Sequence, residues 1–346
     1  MLKEIYKLGE LSLLKNIKDK EREKHRLIDL FWECTLTCNA NCKHCGSSAE
    51  KKIYEGELTT EEIKSAFKQI ANDMDASKIL INVTGGEPLT RKDLCEVMEY
   101  ATNELGFHWG MTTNGILMND ENINKLKKAN METISVSIDG LEKTHDEFRG
   151  VPGSYKKIIN NIKKLKEANF VKHIQVTTVF HKKNINELDE LYEIMKDLKL
   201  DSWRLMSMDP IGRANENDNL LLNGEEIKKI LDFIKQKNKK NKLELSYGCP
   251  GFLGLDYEKE VRKNYFYCIT GINVASILYN GDLFVCPNVP RIKSLIQGNI
   301  RTDNFKDVWD NKYKEFRSKN RTKCEKCEKC EFWEYCLGRS ISHLEF

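Results

Sequence analysis

The chain opens with a helical pattern and then alternates short apolar runs with longer amphipathic segments. Apolar residues recur near the helical period over residues 2–18 and predict a leading helix that packs on the main domain. From Phe31 onward, β-type runs are each followed by a helical pattern. The predicted strands are 31–36, 78–84, 107–112, 133–138, 173–180 and 202–207, and the predicted helices are 59–74, 91–105, 120–129, 154–169, 184–198 and 225–238.

The alternation of strand and helix predicts an α/β fold. Strands that are each followed by a helix pair in parallel through right-handed crossovers. Thr59 with Glu62 three residues later forms a capping box at the start of the first of these helices. Six such units are too few for a closed eight-fold barrel, which would need two more.

Past Lys240 the alternation stops and a cysteine-rich segment follows. Residues 276–286 predict a β-hairpin on an Asn280-Gly281 turn, a pair that suits a type I′ loop. Cys268 precedes the hairpin and Cys286 lies on its second arm, which gives Cys-x12-Gly-x4-Cys. A second run follows as Cys324-x2-Cys327-x2-Cys330-x5-Cys336.

Composition narrows the class of protein. A chain of 346 residues with 40% hydrophobic and 32% charged residues can bury a large core, and a net charge of +3 is too slight to argue for nucleic acid or a membrane surface. Residues 1–26 contain no apolar run long enough for a signal or a span, so we expect a cytoplasmic protein. The 12 cysteines would be reduced there, and crowded thiols then indicate metal or cluster ligands.

The most informative motif is Cys38-x3-Cys42-x2-Cys45, directly after the first predicted strand. Soft thiolates select iron–sulfur clusters or zinc, and three of them can hold three corners of an iron–sulfur cube while one iron stays open. A zinc knuckle that recruits Cys34 or His44 is an alternative, and a disulfide is another.

Three further loops follow predicted strands two, three and four. They are Gly85-Gly86-Glu87-Pro88, Thr113-Asn114-Gly115 and Ser137-Ile138-Asp139-Gly140. In α/β barrels the carboxyl ends of the strands carry the functional groups, so these loops and the cysteine loop are expected to meet. Glycines in such a loop let the backbone approach a ligand closely.

Together these motifs resemble those of the radical S-adenosylmethionine (SAM) superfamily. The resemblance implies an open, partial (β/α)6 TIM barrel. It also implies a [4Fe–4S] cluster on Cys38, Cys42 and Cys45 whose open iron chelates SAM. In that family the reduced cluster cleaves SAM to methionine and a 5′-deoxyadenosyl radical. The family usually has an aromatic residue where this chain has His44.

The same resemblance suggests which residues would bind SAM. The loop Gly85, Gly86, Glu87, Pro88 would hydrogen-bond the amino group. Other polar side chains would line the same cleft, with Arg149 offering a fork to a carboxylate. They are Thr113, Asn114, Ser137, Asp139 and Arg149, whereas His145 and His173 are expected to be structural.

The carboxyl-terminal cysteines resemble SPASM and twitch extensions, small α+β hairpin domains that carry auxiliary [4Fe–4S] clusters. Ser340 stands where that pattern expects a further cysteine, so the resemblance implies one or two auxiliary clusters. A zinc ribbon is the alternative. The candidate ligands are Cys249, Cys268, Cys286, Cys324, Cys327, Cys330 and Cys336; Cys249 is also a candidate hydrogen-atom donor. Cys34 and Cys95 are expected to be buried hydrophobes.

We therefore predict an amino-terminal helical extension (1–26), a radical SAM barrel (27–240) and an auxiliary-cluster domain (241–346). The predicted activity is hydrogen abstraction from a peptide or protein in ribosomal peptide maturation, such as crosslinking, epimerisation or oxidation, with a flavodoxin or ferredoxin as electron donor. The alternatives are a radical SAM dehydrogenase of a small metabolite and a non-catalytic iron–sulfur carrier or sensor.

Overall fold

The computed structural model describes residues 2–239, 243–249, 251–319, 327 and 329–336. The leading helix α1 spans Leu2–Lys24 and is longer than predicted. Its charged second half continues the helix because Lys18 and Arg22 are buried, and Lys18 donates to the carbonyl of Phe266. The polar contacts of α1 therefore reach the segment after residue 250, whereas the sequence predicted that this helix packs on the main domain.

One ten-stranded sheet organises the molecule, in the order β10-β9-β8-β1-β2-β3-β4-β5-β6-β7. The strands are β1 Asp29–Thr35, β2 Leu80–Gly85, β3 His108–Thr113, β4 Thr133–Ser137, β5 His173–Phe180, β6 Ser202–Ser207, β7 Glu244–Tyr247, β8 Val274–Ile277, β9 Asp282–Phe284 and β10 Ile296–Asn299. Strands β1 to β7 pair in parallel, β8 pairs in parallel with β1, and β8, β9 and β10 are antiparallel. The sheet is open, with β10 and β7 at its edges.

Helices alternate with these strands, and most of them pack on one face of the sheet. They are α2 Thr60–Asp73, α3 Leu94–Asn103, α4 Asp120–Lys128, α5 Glu142–Arg149, α6 Ser154–Ala168, α7 Leu188–Asp197, α8 Gly224–Asn238, α9 Glu258–Val261 and α10 Phe305–Asn311. The predicted capping box of α2 is present, with Thr59 and Glu62 bonded to each other's backbone. The parallel α/β fold and the partial barrel are thus confirmed.

Alternation along the strands separates the core from the interior of the barrel. In β5 the buried residues Ile174, Val176 and Phe180 pack in the hydrophobic core on the same face as the buried Thr178, and the alternate residues are only partly buried. Strands β1, β2 and β4 begin with the same period of two. The second face carries polar residues such as Ser135, Gln175 and Thr177 together with some apolar ones, so the barrel interior presents hydroxyl and amide groups beside an apolar part.

The sequence missed two strands, β7 and β10, and misjudged one turn. Strand β7 continues the parallel sheet after α8, where we expected the alternation to stop. In the hairpin of β8 and β9 only Gly281 has a positive φ, of 88°, while Asn280 does not, so the predicted type I′ turn is wrong. The connection is a longer loop that is closed by a bond from the Leu278 amide to the Asp282 carbonyl, at 2.9 Å.

Within the described part of the chain, no helix is long and apolar enough to cross a membrane.

Candidate active site

A cavity of about 300 Å³ opens at the carboxyl ends of the parallel strands. The loops after β1, β2, β3 and β4 all contribute to it, as expected from the motifs. Its lining includes the three thiols Cys38, Cys42 and Cys45, the glycines Gly85 and Gly86, and Thr113, Asn114, Ser137 and Arg149. Glu87, Pro88 and Asp139 lie behind this surface.

The cysteine loop is fixed through its backbone. The amides of Asn41 and Lys43 donate to the carbonyls of Arg149 and Phe148, both at 3.0 Å, so the end of α5 pairs with the loop. Arg213 bonds the loop from the other side through the carbonyls of Cys42 at 2.9 Å and Ala49 at 2.8 Å. The protein therefore sets the conformation of the loop by its own hydrogen bonds.

The thiols themselves have donors directed at them. Cys38 accepts from the Ala40 amide at 3.5 Å and lies 4.0 Å from the Asn114 amide nitrogen. Arg149 Nη1 lies 3.5 Å from the sulfur of Cys42. Burial raises the pKa of Cys38 to about 11 and also raises the pKa of Cys42, so these thiols stay protonated until a metal displaces the proton.

The glycine loop lies against the cysteine loop with no room for side chains. A Cβ on Gly85 would lie 2.2 Å from the Thr35 carbonyl oxygen, and one on Gly86 would lie 2.3 Å from that of Thr37. Gly85 also has a φ of 138°, which L-residues rarely adopt. The pair therefore brings bare backbone to the cavity wall beside the thiols.

Glu87 faces away from the cavity. Its carboxylate is fully buried and accepts from the Thr113 hydroxyl at 2.7 Å and the Asn114 amide at 2.7 Å. Burial raises its pKa, although these bonds oppose that change. Glu87 thus joins the loops after β2 and β3.

Asp139 and Arg149 form a buried ion pair at the end of β4. Arg149 Nε donates to Asp139 Oδ2 at 2.5 Å, and the other carboxylate oxygen accepts from the Val179 amide at 2.8 Å. Burial alone would raise the pKa of Asp139, but the Arg149 guanidinium, together with His44, His145 and the Val179 amide, holds the pKa below its usual value. His145 accepts from the Asp139 amide at 3.0 Å, in keeping with a structural role.

His44 takes part in an aromatic stack that the sequence did not reveal. Its ring lies parallel to Phe148 at 4.7 Å, and Phe148 stacks on His181 at 3.9 Å. Burial lowers the pKa of His44 to about 3, so the ring is neutral. His44 therefore replaces an aromatic residue without adding charge.

Sequence reasoning also missed Arg213 and the pair Glu33 and Arg291. Glu33 lines the cavity and accepts from Arg291 Nη1 at 2.7 Å, and Arg291 also donates to the Ser47 hydroxyl at 2.7 Å. Arg213 follows the sixth predicted strand, so its place at a strand end was the available signal. Arg291 offered none, because its partner is 258 residues away.

The auxiliary cysteines fall into two groups. The first group is Cys249, Cys268 and Cys286. Burial raises the pKa of Cys286 to about 12, and the nearby Cys268 and Cys249 contribute to this rise. Arg204 Nη2 lies 3.3 Å from the sulfur of Cys249. The second group is Cys327, Cys330 and Cys336 around a helical turn, Trp333–Cys336. Cys324 lies outside the described residues.

The donor set fits an iron–sulfur cluster at the first loop. Three thiols share one cavity wall, and donors aimed at two of the sulfurs suit thiolate ligands. Cys34, the proposed fourth ligand of a zinc knuckle, is fully buried in the core on the helix side of β1. Among the described residues, no group of three His, Cys, Asp or Glu side chains is arranged to hold a single metal ion.

Comparison with known proteins agrees with this geometry. A model described as "Radical SAM superfamily" matches residues 32–195, and one described as "Iron-sulfur cluster-binding domain" (SPASM) matches residues 268–331. The AdoMet-dependent heme synthase of Methanosarcina barkeri is 31% identical over 82% of this chain and 82% of its own. The mycofactocin maturase MftC of Mycolicibacterium smegmatis is 29% identical over 87% of this chain and 75% of its own.

Among solved structures, Streptococcus suis SuiB bound to S-adenosylmethionine superposes with a TM-score of 0.70 over 92% of this chain and 75% of SuiB, at 20% identity. A second SuiB structure, bound to the precursor peptide SuiA, gives the same TM-score. These similarities show a shared fold. The cofactors that the two family models imply are a [4Fe–4S] cluster with SAM and auxiliary iron–sulfur binding. The chain belongs to the radical SAM superfamily and carries a SPASM iron–sulfur domain.

Proposed function

We propose that this radical SAM enzyme abstracts hydrogen from a peptide or protein during the maturation of a ribosomally made peptide. Cys38, Cys42 and Cys45 would hold the cluster, and the bare backbone of Gly85 and Gly86 would bind the SAM amino group. When bound, these cofactors supply a 5′-deoxyadenosyl radical. The chain's own task is to bind and orient the substrate and to keep water away from it.

The observation that carries the peptide proposal is the chemistry of the cavity wall. Beyond the SAM loops one part of the wall presents hydroxyl and amide groups, which can bond the carbonyls and amides of a peptide; they are Thr84, Thr112, Thr177, Ser207 and Asn288. Both lining arginines are already engaged, Arg149 by Asp139 and Arg213 by backbone carbonyls. The wall thus favours an uncharged polar substrate over a polycarboxylate.

A second candidate is chemistry on an iron porphyrin. It is favoured by the heme synthase relative, which is 31% identical over most of both chains. An apolar flank of the cavity, formed by Met206, Met208, Ile211 and Pro287, would suit a macrocycle. Such a substrate carries carboxylates that would need free cations as partners. Among the described residues, this wall offers no such cation.

The remaining assignments are part of the proposal. Residues 27–240 would form the SAM barrel and 241–346 the auxiliary unit. Cys268, Cys286 and Cys249 would serve one auxiliary cluster, and the cysteines from 324 to 336 a second or shared one. A flavodoxin or ferredoxin would supply the electron.

The experiment is an anaerobic assay of the reconstituted enzyme with two substrates offered in parallel. One is a short precursor peptide encoded beside the gene, and the other is an iron porphyrin. We expect 5′-deoxyadenosine formation to rise with the peptide, together with a mass change in the peptide that corresponds to lost hydrogen. Consumption of the porphyrin alone would overturn the peptide assignment.

A further inference from the structure

Arg149 was expected to bind a ligand carboxylate, but two of its three nitrogens are occupied within the protein. Nε donates to Asp139 Oδ2 at 2.5 Å, and Nη1 lies 3.5 Å from the sulfur of Cys42. The Arg149 side chain is only 10% exposed and that of Asp139 is fully buried. The guanidinium is therefore held between a carboxylate and a cluster ligand, away from water.

The ion pair has a direction relative to the cysteine. Asp139 is held from behind by the Val179 amide at 2.8 Å, and Arg149 lies on the side of Cys42. The pair is neutral overall, so what acts on the cysteine sulfur is the positive end of an oriented dipole. In a buried site such fields are screened far less than in water.

We propose that Arg149, oriented by Asp139, is a positioning residue that raises the reduction potential of the cluster through its hydrogen bond to the sulfur of Cys42. Reduction adds negative charge to the cluster and its thiolates, and a charged donor at a sulfur stabilises that form. Hydrogen bonds to cluster sulfurs are among the factors that set such potentials. The inference rests on the proposed cluster assignment of Cys38, Cys42 and Cys45.

Substitutions at the two partners should move the potential in opposite directions. Arg149→Gln removes the donor and leaves the Asp139 charge uncompensated, so the potential falls. Asp139→Asn keeps a group that can accept from Val179 and leaves the Arg149 charge uncompensated, so the potential rises. If the ion pair only supported the loop, both variants would loosen the loop, and the two shifts in reduction potential would not have opposite signs.

The chain offers a matched control in Arg213. This arginine contacts the same cysteine, but it donates to the Cys42 carbonyl at 2.9 Å rather than to the sulfur. Arg213→Gln therefore removes the same charge from the same loop without removing a hydrogen bond to the ligating sulfur. Arg149→Lys adds a second test, because it retains the charge and loses the planar fork.

The test is an anaerobic redox titration of the full reconstituted protein, followed by EPR, without SAM. The signal of this cluster is identified by its change when SAM is added afterwards. For Arg149→Gln we expect at least a tenfold fall in the ratio of reduced to oxidised cluster at fixed potential, which is about 59 mV for one electron. Asp139→Asn should shift the potential upward, and Arg213→Gln should shift it less than Arg149→Gln.

Three results would overturn the inference. One is an unchanged potential in Arg149→Gln, and another is a fall in Asp139→Asn. The third is an equal fall in Arg213→Gln, since it would attribute the effect to charge alone. If Arg149→Gln takes up no cluster, the reduction potentials of Asp139→Asn and Arg149→Lys test the inference instead. A wild-type protein that binds no cluster or leaves SAM uncut would instead refute the proposed function.

Discussion

The two cysteine-bearing regions of the molecule are built differently. In the first loop Cys38 and Cys42 are 8% and 7% exposed, and neighbouring segments hold the loop by backbone bonds and by Arg213. In the second region Cys249 and Cys330 are exposed. We infer that protein contacts preorganise the proposed SAM site, and we expect the auxiliary site to depend more on its metal for order.

The largest expected difference between the two regions is the effect of removing one thiol on SAM cleavage. Cys42→Ala removes a ligand of the preorganised site, so SAM cleavage should fall by more than about 100-fold, beyond the loss typical of outer-shell changes. Cys286→Ala leaves that loop intact, so cleavage should stay within about tenfold of wild type. The measurement is 5′-deoxyadenosine formed under dithionite without substrate. Equal loss in both variants would contradict the comparison.

Removal of the clusters by a chelator should affect the regions unequally. Amide hydrogen exchange beside Cys249 and in 329–336 should rise, because metal binding contributes to folding there. Exchange in the core strands β2 to β6 should change little, since these strands lie within a continuous hydrophobic core. Uniform protection across both regions after chelation would show that the auxiliary segment folds on its own.

Two glycines offer a smaller, matched test. A methyl group on Gly86 would meet the Thr37 carbonyl oxygen at 2.3 Å, so Gly86→Ala must displace the cysteine loop. We expect a cost of about 1–3 kcal/mol in the free energy of unfolding and weaker SAM binding. Gly281 has a φ of 88° and meets its nearest neighbour at 3.0 Å, so Gly281→Ala should cost about 1–2 kcal/mol and leave SAM affinity unchanged.

Denaturation and SAM titration of both variants check this. Intact SAM affinity in Gly86→Ala would mean that the loop tolerates displacement.

The smallest effect concerns a link between the two regions. Arg301 Nε donates to Glu62 at 2.6 Å. This bond and the one that Glu62 accepts from the Thr59 amide lower the pKa of Glu62 to about 2. Since this is below the usual 4.5, the stabilisation is complete above pH 4.5 and is lost as the pH falls toward 2. The difference in melting temperature between wild type and Glu62→Gln should therefore shrink over that range. A constant difference would exclude a titrating contribution from Glu62.

The local features of the fold could be predicted from the sequence. Strands β5 and β6 match their predicted bounds, because an apolar period of two and clear flanking helices define them. Strand β7 has only four residues and follows a lysine- and asparagine-rich run. It is too short to show a recognisable alternation of apolar and polar residues. The parallel pairing of β8 with β1 joins distant segments, and no local pattern encodes it.

The candidate site divides in the same way. The thiols and glycines were recognisable because their spacing itself reflects the geometry of the loop. The orientation of Glu87 was not, since it depends on the unusual backbone of Gly85 and on hydroxyl and amide donors 26 and 27 residues later. The contact of Arg149 with Cys42 spans 107 residues and appears only in the folded chain.

The central claim is that Cys38, Cys42 and Cys45 hold a cluster with one iron left open for SAM. Mössbauer spectroscopy of protein reconstituted with iron-57, in a variant that lacks the auxiliary cysteines, tests it directly. We expect one iron in four to differ from the rest and its signal alone to shift when SAM is added. Four equivalent irons that ignore SAM would contradict it.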